Sequence, residues 1–208
     1  EIDKINYRIA ISFVSIENAK ENLKNEEKHL TFEEYQRETS KEWDKYLSAI
    51  KIKSKNEDRI KQFYTHFYHS LIHPNIVSDV NGEYMGADFN VHKTKENREQ
   101  YSSFSVWDTY RTQGQLIAML FPKRSSDMMQ SLVDFAEQAG GYGRWILANI
   151  ETGIMQGDPT PILISNSFAF GGDDFDVETA YQYMKKGALI PRLYSQKQEV
   201  RPYLEEYI

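Results

Sequence analysis

Residues 125–141, SSDMMQSLVDFAEQAGG, show the clearest helical pattern of the chain. Four apolar residues recur at intervals of three or four and therefore fall on one helical face. They are Met128, Leu132, Phe135 and Ala139. Gly140 and Gly141 follow, and glycine is the usual residue beyond the end of a helix. The stretch predicts a helix over about 125–139 that packs one face against a neighbour.

Three more helices are predicted around it, each with a start or stop signal. They cover about 56–73 (ended by Pro74), about 105–120 (before Pro122) and about 176–188 (capped by Asp176). The connections over 75–104 and 140–160 are long and rich in aromatic residues, glycine and aspartate. Helices joined by such loops predict a mainly α fold, a partial α/α toroid whose loops build a site at one end.

The N-terminal part has a different pattern. Apolar and polar residues alternate over Ile5–Phe13, which predicts a strand with one buried face. No second convincing strand follows, so its partners are expected before residue 1, in a longer polypeptide. Residues 17–28 are polar helix formers, which predicts a solvated linker helix.

Thr31 and Glu34 have the spacing of a capping box, so a second linker helix is expected from there to about Ile50. The charged stretch KIKSKNED, residues 51–58, marks a domain boundary. The predicted division is a terminal β-sandwich strand over 1–16, a helical linker over 17–55 and the first part of a helical domain over 56–208.

Composition excludes several classes of function. The 208 residues include 25 Lys and Arg against 31 Asp and Glu, a net charge of −6, with 40% hydrophobic residues. This is typical of a soluble globular protein, and without a basic block nucleic acid is not an expected partner. There is no cysteine, which excludes thiolate metal sites and thiol nucleophiles. The longest apolar stretch, Leu116–Phe121, is too short to span a membrane.

The first candidate site is SVWDTYR, residues 105–111, with Trp107, Asp108 and Arg111 close together. One interpretation is structural: Asp108 stabilises a helix N-terminus and pairs with Arg111, while Trp107 belongs to the core. The other is a sugar site, because sugars have apolar faces that stack on an aromatic ring and hydroxyl rims that bind charged groups.

The second candidate site is RWILANIETGIMQGDPTP, residues 144–161, where Trp145, Glu151 and Asp158 stand among apolar residues. Carboxyl groups in such surroundings are candidates for shifted pKa values and acid or base roles. The alternative for Asp158, which we favour, is that it caps a helix beginning at Pro159. Glu151 has no equally simple structural explanation.

No metal site is predicted. His66, His69 and His73 share a helical face, but no HExxH pattern accompanies them, and helix packing is the favoured explanation. Asp79 and Asn81 precede Gly82 without the later oxygen ligands of a calcium loop, which indicates a tight turn.

Four blocks in order resemble glycoside hydrolase family 92, the calcium-dependent exo-acting α-mannosidases. They are FYTHFYHSLIHPNIVSDVNGEYMGAD, YSSFSVWDTYR, RWILANIETGIMQGDPTPILIS and FDVETAYQYMKKGA, within about residues 57–188. The stretch ISFVSIENAKENL before them resembles the end of the family's N-terminal β-sandwich.

The resemblance implies a β-sandwich joined by a helical linker to an (α/α)6 catalytic toroid that releases mannose with inversion. It implies an α-mannoside glycan as substrate, of α-1,2-linked N-glycan type, and a secreted or periplasmic location. The remainder of the polypeptide is the expected partner of this chain. The family's sugar-binding wall maps onto Asp108, Arg111 and Trp145, with Trp107 beside them, and Glu151 and Asp158 match acidic positions.

The family's general acid, general base and most calcium ligands belong to later motifs that are not found before Ile208. The chain is therefore expected to hold half a site, to form an incomplete barrel and to be inactive alone. Glu151 and Asp158 are the fallback acid and base. The alternative function is a noncatalytic carbohydrate-binding or regulatory helical domain, which needs only Trp107, Asp108 and Trp145.

Overall fold

The computed structural model describes residue 5 and residues 7–95 and 97–190. The helices of this part are α1 Ile16–Glu26, α2 Phe32–Leu47, α3 Glu57–Ser70, α4 Val106–Thr109, α5 Gln113–Leu120, α6 Pro122–Ala139, α7 Thr160–Ala169 and α8 Val177–Leu189. Its strands are β1 Asn75–Ile76, β2 Glu83–Met85, β3 Val91–Lys93, β4 Tyr101–Ser102, β5 Phe104–Ser105, β6 Trp145–Leu147 and β7 Ile150–Glu151. The described chain is mainly helical, as predicted.

Helix α6 lies at the centre of the packing. It begins at Pro122 rather than near residue 125, because proline fits the first helical turn, where its missing N–H would have had no partner. It ends at Gly140, whose φ of +82° is accessible to glycine without strain. Leu132 and Phe135 are buried as predicted, whereas Ala139 is exposed. Further buried apolar residues of α6 are Met129, Val133 and Ala136.

Helices α5, α7 and α8 pack against α6. Helix α5 approaches α7 closely at Gly114, where an added Cβ atom would collide with Leu163 Cδ1. Asp176 caps α8 as predicted, accepting a hydrogen bond from the Thr179 N–H at 2.9 Å. The buried core comprises Tyr101, Phe104, Val106, Met129, Leu132, Val133, Phe135, Ala136, Tyr142, Ile146, Leu163, Ile164, Phe175 and Ala180.

The predicted helix over 105–120 is two helices, α4 and α5. Thr112, between them, has a φ of −152°, outside the helical range. Gln113, the first residue of α5, donates from Nε2 to the carbonyl oxygens of Ser70 and His73, at 2.7 and 3.0 Å. These bonds to the end of α3 favour a new helix start over continuation of α4, an example of tertiary contacts overriding local propensity.

The two long connections contain short antiparallel strands that periodicity does not reveal, because strands this short show no alternation. Strand β1 pairs with β4, and β2 pairs with β3 in a hairpin. Strands β5, β6 and β7 form a three-stranded sheet in that order. This sheet joins the 75–104 connection to the 140–160 connection.

The predicted strand over Ile5–Phe13 is absent from the described residues. Residue 5 and residues 7–13 pair with no other described strand, and the side chains of Ile5, Tyr7, Ile9 and Ile11 are between 71 and 79% exposed. A strand needs ladder hydrogen bonds to a neighbour, and the described chain provides none here. Because the partners of this strand are expected before residue 1, both the strand and its origin in a β-sandwich stay predictions.

Helix α1 forms as predicted, but one face is buried rather than solvated. Asn18 and Asn22 are 9% and 8% exposed and donate from Nδ2 to the Asp79 carboxylate at 2.8 and 2.7 Å. Ser12 Oγ donates to the same carboxylate at 2.7 Å, and Asn18 also reaches Glu83 Oε2 at 2.9 Å. We call these five residues the Asp79 cluster. The sequence could not reveal this burial, because a polar helix face that bonds to protein has the same composition as one that bonds to water.

Helices α2 and α3 confirm their predicted starts. Thr31 and Glu34 form the capping box of α2, and Asn56 caps α3. Trp43 of α2 meets Tyr68 of α3 edge to face, with ring centroids 4.5 Å apart. Whether the 51–58 stretch between them is a domain boundary stays a prediction.

Helix α7 corrects one expectation about Asp158. The helix begins at Thr160 with Pro159 as its N-cap residue, and no side chain caps it there. Asp158 is therefore not the cap that its position before proline suggests.

Across the described residues, none of the helices has the length and apolar character needed to cross a bilayer.

Candidate functional site

One cross-strand pair brings the two candidate blocks together. In the β5–β6 ladder, Ser105 lies opposite Trp145 and Phe104 lies opposite Ile146. Side chains directly opposite on antiparallel strands have Cβ atoms only about 5 Å apart. Ser105 Oγ also donates to the Asp108 carboxylate. Asp108 is thereby connected to Trp145 through a single serine, although the two belong to different loops.

Trp107 and Arg111 belong to the same segment as Ser105 and Asp108. The half-buried Trp107 donates from Nε1 to the Gln156 carbonyl oxygen at 2.9 Å, so its indole is fixed to the 151–158 loop. The Arg111 guanidinium lies over the rings of Trp107 and Tyr110, 5.6 and 5.3 Å from their centroids. Among the described residues no ion pair joins Arg111 to Asp108, and both side chains are exposed. The structural interpretation as an ion pair is therefore wrong.

Trp145 is half-buried and held by its backbone. Its carbonyl oxygen accepts hydrogen bonds from the N–H and the hydroxyl of Thr152, both at 2.9 Å. Its indole Nε1 is buried and has no acceptor within the described ranges.

Arg144, which the sequence analysis did not single out, is completely buried at 0% exposure. Its guanidinium donates to main-chain carbonyl oxygens of the following loop, from Nε to Ile154 at 2.8 Å and from Nη1 to Gly157 at 3.1 Å. Its own carbonyl oxygen accepts from Val106 N–H at 3.0 Å. The only hint in the sequence is an arginine in the otherwise apolar stretch GGYGRWIL.

The Glu151 carboxylate accepts hydrogen bonds from backbone N–H groups. Oε2 accepts from the N–H groups of Arg144 and Trp145, at 2.6 and 3.2 Å, and Oε1 accepts from Gly153 N–H at 3.0 Å. Burial raises the pKa of Glu151, and the three backbone hydrogen bonds and the Arg144 charge oppose that rise. Gly143 is packed so tightly here that a Cβ atom would lie 2.6 Å from Glu151 Oε2.

Asp158 is half-buried and lies on the α8 side of the loop. Its Oδ2 would be 3.7 Å from a Cβ atom added at Gly187. Tyr142 is near enough to feel its charge: the pKa of Tyr142 is raised mainly by burial and further by Asp158. The structure thus places Asp158 near α8, while Trp107, Asp108, Arg111, Trp145 and Glu151 belong to the connected β5–β6–β7 region.

The described residues do not fit a calcium ion. Asp79 lies in the predicted tight turn, with Gly82 N–H donating to its carbonyl oxygen at 2.8 Å, and its carboxylate is occupied by amide and hydroxyl donors. His66 and His69 are exposed on α3. Within residues 5, 7–95 and 97–190, no group of three or more histidine, aspartate or glutamate side chains could hold a metal.

The fold and the family match given next define the class: this chain is part of an (α/α)6 catalytic domain of the glycoside hydrolases. Residues 18–208 match the family model described as the glycosyl hydrolase family 92 catalytic domain. The chain belongs to that family.

Two solved structures from Bacteroides thetaiotaomicron illustrate the likeness. One is the family GH92 α-mannosidase BT3965 in complex with mannoimidazole: 27% identity, TM-score 0.83, covering 94% of this chain and 25% of that chain. The other is the family GH92 inverting mannosidase BT2199: 23% identity, TM-score 0.85, covering 94% of this chain and 26% of that one. The chain thus spans about a quarter of the length of these solved relatives. A search of curated proteins gave no match.

Proposed function

We propose that the full-length protein containing this chain is an inverting exo-α-mannosidase and that this chain supplies part of its sugar subsite. The observation that carries the proposal is the pairing of Ser105 with Trp145, with Asp108 bonded to the same serine. This pairing supports a site that combines a carboxylate with an indole. Those are the two groups that recognise the hydroxyl rim and the apolar face of a pyranose.

We call Trp107, Asp108, Arg111 and Trp145 the sugar wall. Asp108 is exposed and accepts hydrogen bonds from sugar hydroxyls. Arg111 donates to neighbouring hydroxyls, while its guanidinium shields Trp107. The half-buried Trp145 is the stacking platform.

The proposed substrate is an α-mannoside glycan of α-1,2-linked N-glycan type. The match to the BT3965 structure, whose bound mannoimidazole resembles mannose, supports a mannose-shaped subsite. The calcium of the family would be held by residues outside the described part of this chain. A secreted or periplasmic location accords with extracellular glycan as substrate.

An inverting glycosidase needs a general acid and a general base about 6.5–9.5 Å apart, with a water molecule between them. We assign both to the remainder of the polypeptide, which makes that remainder the obligatory partner of this chain. The 208 residues alone are then inactive. Hydrolysis by the isolated chain would instead implicate Glu151 and Asp158 as the acid and base.

The direct test is an assay of the full-length protein on aryl and disaccharide α-mannosides, with calcium and with a chelator. We expect calcium-dependent release of β-mannose, the inverted anomer, which NMR of the fresh product identifies. No mannose release from any linkage would refute the mannosidase. Sugar binding without release would support the alternative, a noncatalytic carbohydrate-binding domain.

A further inference from the structure

Arg144 connects the two halves of the candidate site. Its main chain binds the start of α4 through the Val106 N–H, immediately before Trp107. Its guanidinium binds the carbonyl oxygens of Ile154 and Gly157. Gln156, whose carbonyl oxygen accepts the Trp107 indole N–H, lies between those two residues. One buried side chain thus fixes the loop segment that fixes Trp107.

Arginine suits this task for a chemical reason. Its planar guanidinium has several donors in a rigid fork, so it can bond two carbonyl oxygens in fixed directions, which the single ammonium of lysine does less well. A fully buried charge is tolerated only with such partners. Glu151 provides the complementary charge in the same place, since the Arg144 N–H donates to it and the Arg144 charge acts on it.

Glu151 fixes the other half of the wall. Its Oε2 bonds the N–H groups of Arg144 and Trp145, and its Oε1 bonds Gly153 N–H, so both oxygens are engaged by backbone. A general acid or base must bring a carboxyl oxygen within hydrogen-bond reach of the reacting proton. An oxygen already turned toward backbone N–H groups is poorly placed for that.

We infer that Arg144 and Glu151 are positioning residues of the sugar wall, and that Glu151 is neither the general acid nor the base. Arg144 holds the loop that positions Trp107, and Glu151 holds the main chain of Trp145. Their loss should weaken sugar binding while leaving the chemical step largely intact, because neither group touches the reacting atoms. The inference rests on the proposed function.

The first test substitutes Arg144→Met in the full-length protein, with Arg124→Met as the matched control. Arg124 is also a networked arginine, bonded to Glu99, Tyr46 and Tyr101, but has no bond to the wall. We expect the Kd for mannoimidazole, measured by calorimetry, to rise about ten- to a hundredfold in R144M and to stay unchanged in R124M. Both variants should lower Tm.

Arg144→Lys serves if R144M does not fold. Lysine keeps the charge and can bond one of the two carbonyl oxygens, so we expect a smaller rise in Kd than for methionine. An unchanged Kd in a folded R144M or R144K, or an equal rise in R124M, would overturn the positioning role of Arg144.

The second test is Glu151→Gln, which keeps the shape of the side chain but makes one of its terminal atoms a donor. We expect KM to rise about tenfold, kcat to stay within about tenfold of wild type and the limbs of the pH–rate profile to keep their positions. Loss of a general acid or base would lower kcat by about 10²- to 10⁴-fold and remove a limb. That result would overturn the inference while leaving the mannosidase proposal intact.

The wild-type protein separates the two proposals. Wild-type protein that hydrolyses α-mannosides and binds mannoimidazole upholds the proposed function, whatever the variants show. Wild-type protein that does neither refutes the proposed function, and the positioning inference falls with it.

Discussion

Ser105 is the residue on which the candidate site depends. Its backbone pairs with Trp145 and its hydroxyl donates to the Asp108 carboxylate, so it connects the proposed sugar-binding acid to the proposed aromatic platform. The acid itself is exposed, and its oxygens are accessible to a ligand. The proposed sugar recognition therefore depends on an interaction that is local in space but not in sequence.

We predict that Asp108→Asn raises KM for an α-mannosyl disaccharide about ten- to a hundredfold, because a charged acceptor for sugar hydroxyls becomes neutral. Asp173→Asn, in the exposed loop before α8, is the control and should leave KM unchanged. Steady-state kinetics on the full-length proteins measure both KM values. Equal KM values for D108N and wild type would remove Asp108 from the sugar wall.

Individual site residues differ in how far the sequence could identify them. Trp107, Asp108 and Trp145 could be nominated because their side-chain chemistry suits sugars and their blocks resemble a family. Arg144 could not, because its role depends on bonds to carbonyl oxygens ten and thirteen residues further along the chain. Every residue has a main-chain carbonyl oxygen, so the sequence does not indicate which of them an arginine will bond. Only the loop conformation shows that.

The β2–β3 hairpin allows a prediction about pH. Hydrogen bonds from Asn90 and then His92 lower the pKa of Asp88 to about 2. A carboxyl group with a depressed folded-state pKa stabilises the protein above its unfolded value, about 3.9, and this contribution disappears as pH falls towards 2. We therefore expect the Tm advantage of wild type over Asp88→Asn to shrink as the pH is lowered from about 4 to about 2. A difference independent of pH would contradict the assignment.

The Asp79 cluster attaches α1 to the β2 turn. We predict that Asp79→Asn lowers the free energy of unfolding by about 1–3 kcal/mol, because an amide donor would face the buried amide donors of Asn18 and Asn22. Asp44→Asn, on the exposed side of α2, is the control. Denaturant unfolding measures both, and equal stability of the two variants would show that the cluster does not secure α1.

Helices with a strong capping signal were predictable, as α2 and α8 show with their capping residues. The division of 105–120 into α4 and α5 was not, because Gln113 is captured by carbonyl oxygens of a distant helix end. The short strands were missed for a related reason. Strands of two or three residues are defined by their partners and are too short to show a periodicity of their own.

At the scale of the whole molecule, apolar side chains remain uncovered in the described chain. Ile162 and Phe168 of α7 and Met119 of α5 are each 48–56% exposed. Exposed apolar surface of this kind favours association. We predict that the isolated 208-residue chain self-associates and releases no mannose. Sedimentation and a mannosidase assay test this, and a stable, active monomer would contradict it.

We propose that Asp108 and Trp145, from separate loops, line one mannose subsite. A crystal structure of the full-length protein with bound mannoimidazole would show whether they do. We expect the Asp108 carboxylate within hydrogen-bond distance of the sugar hydroxyls and the Trp145 indole against the sugar ring. A bound sugar that touches neither residue would contradict it.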